Sequence, residues 1–169
     1  MVTVGPAAAR AIAQTVTDPE LPMLTLHDLG VLRDVHVQDD GTVIVEITPT
    51  YSGCPAMAEM RVDLSRALHA AGCANVEVRT VLSPPWTTDD ITAHGRELLA
   101  EHGIAPPGPA PRRIAGPVPL TLGARRPDVG CPHCGSSDTV ETSRFGSTAC
   151  KALFRCRHCA EPFEHVKAI

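Results

Sequence analysis

The spacing of apolar residues divides the first hundred positions into helical and extended stretches. Ala7 to Thr15 is alanine-rich and suits a short helix. Asp18-Pro19-Glu20-Leu21-Pro22 ends it, because proline and the residue before it leave the helical region. His27-Asp28-Leu29-Gly30 reads as a turn into a strand over Val31 to Val37, with Val31, Val35 and Val37 on one side. Asp39-Asp40-Gly41 signals a hairpin. Thr42 to Thr48 then alternates again, with Val43, Val45 and Ile47 on one face. A turn-rich loop, Pro49 to Pro55, feeds a helix over Ala56 to Ala70, whose Met57, Met60, Leu64 and Leu68 share a stripe. Gly72 suits its C-terminal cap. Asn75 to Leu82 reads as a third strand with Val76 and Val78 facing inward. Ser83-Pro84-Pro85-Trp86 breaks that strand, and Thr87 or Thr88 caps a last helix over Asp89 to His102. The pattern predicts an α+β domain with a small three-stranded sheet and helices on one side.

After residue 102 the rhythm stops. The reading is a domain over 1–105, a linker rich in Pro, Gly and Arg over 106–127, and a second domain over 128–169. Ile114 to Leu122 is the part of the linker suited to lying on a neighbouring domain. The tail has few large apolar residues, too few for an ordinary core in roughly 40 residues, so it needs a staple. Cys131-Pro132-His133-Cys134 and Cys156-Arg157-His158-Cys159 supply one. Each C-x-x-C pair closes a knuckle, and the two meet on one tetrahedral ion with sulfurs about 2.3 Å away. Zinc held by Cys131, Cys134, Cys156 and Cys159 in a ribbon is the expectation. The alternative is one iron in the same thiolates, a rubredoxin-like electron carrier. Gly135 permits the left-handed turn such knuckles use, Gly146-Ser147 suits a hairpin tip, and His133 and His158 are expected in solvent.

Composition narrows the function classes. The front 105 residues carry 14 acidic residues against 6 arginines, whereas the tail from 128 carries five of each sign. A nucleic-acid binder shows a basic face. A DNA-binding ribbon using Arg144, Lys151, Arg155 and Arg157 is therefore the weakest reading, and no nucleic-acid partner is expected. Aromatics make up 3% of the chain, too few for base-stacking platforms. No apolar run approaches the about 20 residues of a membrane span. Met1 to Ala13 lacks a signal pattern, so a cytoplasmic protein with reduced thiols is expected. No Ser/His/Asp order, P-loop or dinucleotide glycine pattern appears, and no complete catalytic machine is expected.

Cys54 is the candidate reactive residue. It lies where the loop enters a helix, with Pro55 at the expected first helical position, and a helix N-terminus favours a thiolate. A buried, inert thiol is the alternative. Asp18, Glu20 and Asp28 offer hard oxygen ligands or an acidic docking edge, although turn chemistry accounts for Asp18 and Asp28 as well. Cys73 reads as structural. Cys150, six residues before Cys156, is expected to pack, to face the knuckles or to replace a ligand transiently.

Asp18-Pro19-Glu20-Leu21-Pro22, His27-Asp28-Leu29-Gly30-Val31 and Gly53-Cys54-Pro55 resemble the MIP18-like family of iron–sulfur assembly factors over residues 7–100. That family has a small α+β fold with one recurrent loop cysteine, matched here by Cys54. Ser143 to Lys151, Phe154 to Phe163 and Ser83 to Asp89 are similar to the D components of bacterial phenylacetyl-CoA epoxidase systems. The chain departs from them at Asp90-Ile91, where an aromatic is common. The resemblance implies a non-catalytic accessory subunit in phenylacetate catabolism that helps mature a metal site. Its implied partners are an oxygenase or reductase component of that complex, with self-association left open. The implied cargo is iron or an iron–sulfur cluster, handled transiently by Cys54 with Asp18, Glu20 or Asp28, and Cys150 gains functional weight because it lies in the shared motif.

Overall fold

The computed structural model describes residues 4–51, 53–111 and 128–169. The expectation for Ile114 to Leu122 lies outside them. The chain divides into two compact units, Met1–Leu98 and Leu99–Ile169.

In the first unit, helix α1 spans Pro6–Ala13, with proline in the first turn, where a missing N–H leaves no bond unmade. Strands β1 (Leu32–Val37) and β2 (Val43–Ile47) pair antiparallel, with Val35 opposite Val45 and a bulge between Leu32 and Asp34. Strand β3 (Val76–Thr80) pairs parallel to β2, so the sheet order is β1-β2-β3 with β2 central. A parallel pair needs a long crossover, and helix α2 (Met57–Ala70) supplies it. Of the predicted stripe, Met60, Leu64 and Leu68 are buried and Met57 is half-buried, each fully buried side chain contributing about 1.5–3 kcal/mol. Gly72, at φ +98°, ends α2, and the Cys73 N–H returns to the Leu68 carbonyl at 3.1 Å.

Two expectations need correction here. Ile44 is as deeply buried as its neighbours Val43 and Val45, so β2 is covered on both faces, not one. The last helix also starts later than Asp89. Thr87 caps a short 3-10 turn, Thr88–Asp90, and the chain straightens at Ile91. Helix α3 then runs Ala93–Glu101. Its cap is Thr92, whose Oγ1 accepts the Gly95 N–H at 2.9 Å.

The second unit is a four-stranded sheet in the order β4-β7-β6-β5. Strands β5 (Thr139–Ser143), β6 (Lys151–Cys156) and β7 (Pro162–Val166) form the antiparallel ribbon. Strand β4 (Ile104–Ala105), which sequence reading ended the front domain with, pairs parallel to β7. The core is small: Ala105, Val129, Cys131, Ala152, Phe154, Cys156 and Phe163, with Cys159 packed against it. Phe154 and Phe163 stack at 5.9 Å. Three of those eight positions are cysteines, so whatever the sulfurs hold contributes to the core itself.

Candidate metal centre and the Cys54 loop

The ribbon builds its centre from two backbone knuckles. In the first, Gly135 donates its N–H to the Cys131 carbonyl at 2.9 Å and adopts φ +74°. In the second, Ala160 takes the equivalent left-handed place at φ +65°, a conformation that costs an alanine about 1–2 kcal/mol. The two turns bring four Sγ atoms within 4.8 Å of one another. Cys131 and Cys159 approach to 3.7 Å, and Cys134 and Cys156 to 3.6 Å. An ion about 2.3 Å from four tetrahedral sulfurs would set their edges at about 3.8 Å. The two closest edges match such an ion, and the residues present fit zinc.

Electrostatics points the same way. N–H groups of Cys159 and His158 donate to the Cys156 sulfur and lower its pKa to about 6. Cys159 is pushed up to about 12: the Glu161 N–H pulls it down, but burial and its cysteine neighbours outweigh that pull. Four crowded thiols do not ionise together unaided, and a divalent cation replaces their protons. His133 and His158 are exposed, as expected. The His133 ring also meets Phe163 edge-on at 6.5 Å.

The front candidates are arranged differently. Cys54 is half-buried in the loop between β2 and α2. Its N–H reaches the Tyr51 carbonyl at 3.3 Å, and its own carbonyl accepts the Met57 N–H at 3.4 Å. Gly53, at φ +92°, makes the preceding turn. Helix α2 is capped at Ala56, so Pro55 lies ahead of the helix instead of opening it, and Cys54 is two residues before the cap. Asp18 is buried, and its Oδ1 accepts the N–H groups of Glu20 and Leu21, both at 2.8 Å. Asp28 is also buried and accepts the Thr25 hydroxyl at 2.6 Å and the Thr92 hydroxyl at 3.1 Å. Burial alone would raise the Asp28 pKa, but those hydrogen bonds hold it below the usual carboxylate range. Glu20 is half-buried. Cys73 is buried, which pushes its thiol up, in keeping with a structural role.

Cys150 lies just before β6, and Cys156 ends that strand. Six extended steps separate them, roughly 20 Å. Cys150 therefore does not face the knuckles or substitute for one of their ligands in this fold. Its Sγ lies 3.0 Å from the Thr148 hydroxyl. Among the described residues, the four ribbon cysteines are the only group of three or more Cys, His, Asp or Glu side chains close enough to share an ion. Cys54, Asp18, Glu20, Asp28 and Cys150 do not form a second one.

Sequence reading missed the pair Lys151 and Glu164, 2.8 Å apart, with the Lys151 side chain only 4% exposed. The signal for it was register: Leu153 faces Glu164, which sets Lys151 on the diagonal from an opposite charge.

Comparison with known proteins covers both units. Residues 7–80 match the iron–sulfur cluster assembly protein family, and residues 115–167 match the PaaD zinc beta ribbon domain. The Staphylococcus aureus (strain USA300) Fe-S protein maturation auxiliary factor SufT is 35% identical over 50% of this chain and 96% of its own length. A crystal structure of a DUF59 domain from Bacillus anthracis superposes with a TM-score of 0.51 at 25% identity, covering 56% of this chain and 90% of that one. The provisionally named D component of the 1,2-phenylacetyl-CoA epoxidase of Escherichia coli (strain K12) is 44% identical over 94% of this chain and 90% of its own. Because that last similarity continues past the shared front half and through the ribbon, the chain belongs to the two-part family of phenylacetyl-CoA epoxidase D components.

Proposed function

We propose that this chain is a non-catalytic accessory subunit that assists maturation of an iron site, iron–sulfur or di-iron, in a phenylacetyl-CoA epoxidase, working in the cytoplasm. The observation that carries the reading is the contrast between its two thiol settings. The ribbon brings together four cysteine sulfurs, the full ligand count of a structural site, which suits a resident structural zinc. Cys54 is half-buried in the β2–α2 loop, within the stretch that matches the iron–sulfur cluster assembly family, and it belongs to no metal-binding group among the described residues. Cargo that must leave again needs such incomplete coordination. Cys54 is accordingly assigned as the transient ligand for iron or a cluster, and the ribbon as the docking module. Asp18 and Asp28 commit their oxygens to nearby N–H and hydroxyl donors, which favours a role in shaping the loops over ligation. Among the described residues no helix is long and apolar enough to cross a membrane.

The test is Cys54→Ser in the full chain, expressed with the other epoxidase components. The variant is expected to fold and keep its zinc, while the purified oxygenase and reductase components contain several-fold less iron. Normal client iron with the variant would reject the transfer role.

A further inference from the structure

The loop joining β5 to β6 is tied down more heavily than a connection requires. The Glu164 carboxylate accepts the Ser147 N–H at 3.1 Å, the Ser147 hydroxyl at 2.8 Å and the Lys151 ammonium at 2.8 Å. Gly146 donates to the Lys151 carbonyl at 2.8 Å, and a Cβ on Gly146 would come within 3.1 Å of Glu164 and Lys151. Ser143 and Phe145 exchange bonds through the Ser143 hydroxyl at 2.8 and 3.2 Å. Burying a lysine against a carboxylate contributes little stability over an apolar pair, so such a pair serves conformational specificity better. What this loop holds in place is an aromatic ring in water: Phe145 is 67% exposed. Lys167 sits 4.9 Å above that ring and donates to the Arg144 carbonyl at 3.1 Å. Among the described residues neither Arg144 nor Lys167 has an ion pair.

We propose that this hairpin tip, Phe145 flanked by Arg144 and Lys167, is the docking anchor of the ribbon, and that its occupant is an acid-rimmed apolar pocket on another component of the epoxidase. This rests on the accessory-subunit reading above. Aromatic residues, phenylalanine included, and arginine are both enriched at protein interfaces. Holding the tip rigid beforehand lowers the entropy that association must overcome. The two unneutralised cations select a partner surface of negative charge and speed encounter.

The experiment measures affinity of the zinc-loaded full chain for the purified oxygenase and reductase components at two salt concentrations. Phe145→Ala and Arg144→Glu are expected to weaken binding about tenfold or more. Arg157→Glu, the same charge change at the far end of β6, is expected to leave it unaltered. Phe145 is largely in water, so zinc content and the circular dichroism of the variants should match wild type. If wild type binds a component and the tip variants bind equally well, or if Arg157→Glu weakens binding as much, the tip is not the anchor, though the accessory reading survives. If wild type binds neither component, that reading fails and the proposal with it. Tip-dependent self-association in sedimentation, or tip-dependent binding of a single-stranded DNA oligonucleotide, would also overturn it by naming a different occupant.

Discussion

Lys151 and Glu164 form their ion pair under the β5–β6 loop at 2.8 Å, with the lysine side chain 4% exposed and the glutamate 25% exposed. The lysine is not easily rehydrated alone. Lys151→Met leaves a carboxylate that still accepts from Ser147 but has lost its cation. We expect a loss of about 2–3 kcal/mol, below the roughly 3–5 of a fully buried pair because Glu164 keeps partial access to water. The double variant Lys151→Met, Glu164→Leu should recover most of that loss. A double-mutant cycle from chemical denaturation of the zinc-loaded chain measures the coupling, and a double variant as unstable as the sum of the singles would contradict it.

Removing the ion should affect the two units unequally. Three of the ribbon's core positions are cysteine sulfurs, whereas the first unit buries its own leucines, valines and isoleucines. Chelation under reducing conditions is expected to erase amide protection across β5, β6 and β7 while that of β1, β2 and α2 persists. Metal analysis of the wild type should give one zinc per chain, and Cys131→Ser should lose it. A red chain with one iron in the cage would instead support the electron-carrier alternative, and ribbon amides that stay protected without metal would refute the staple.

The local features were readable in the sequence because they close over a few residues. The C-x-x-C knuckles, the Asp39-Asp40-Gly41 hairpin and the Gly72 cap each depend on neighbours within one turn. The features that escaped depend on distant partners. Ile104–Ala105 has no period of its own and becomes a strand only because β7 lies beside it. The start of α3 was misplaced because Thr87, Thr88 and Thr92 are all credible caps, and contacts with Asp28, 64 residues away, favour Thr92. For the candidate site, the grouping of the four ribbon cysteines was legible from spacing alone. The separation of Cys150 from Cys156 was not, since it follows only once β6 is known to be fully extended between them.

Two glycines separate backbone strain from crowding. Gly30 and Gly41 both have positive φ, +69° and +83°. A Cβ on Gly30 would overlap the Asp90 carbonyl oxygen, a backbone atom in a turn that Asp90 itself closes by accepting the Thr87 N–H at 2.8 Å. Nothing lies within 4 Å of a Cβ on Gly41. Gly41→Ala should therefore cost about 1–2 kcal/mol from conformation alone. Gly30→Ala should cost about 1–3 kcal/mol more, because Asp90 and its bonds to Arg33 have to move. Equal losses in denaturant melts of the two variants would show that the contact with Asp90 does not constrain the fold.

Asp28 links the loop before β1 to the cap of α3, and that link should titrate. Its carboxylate takes the Thr25 hydroxyl and the Thr92 hydroxyl, and Thr92 in turn caps Gly95 at 2.9 Å. At neutral pH, Asp28→Asn should cost about 1.5–3 kcal/mol, the range for hydrogen bonds to a charged group. Because the folded pKa is depressed, the stabilisation is complete above the unfolded value of about 3.9 and is lost as pH falls through the folded value. The stability gap between wild type and variant should thus stay constant from pH 7 to pH 5 and close below about pH 4. Trp86, the single tryptophan, is buried with its indole N–H on the Leu29 carbonyl at 2.8 Å, one residue from Asp28, so its fluorescence reports this unit directly. A gap that instead widens as pH falls from 7 to 5 would mean that the Asp28 pKa is raised by burial, not lowered by its threonine donors.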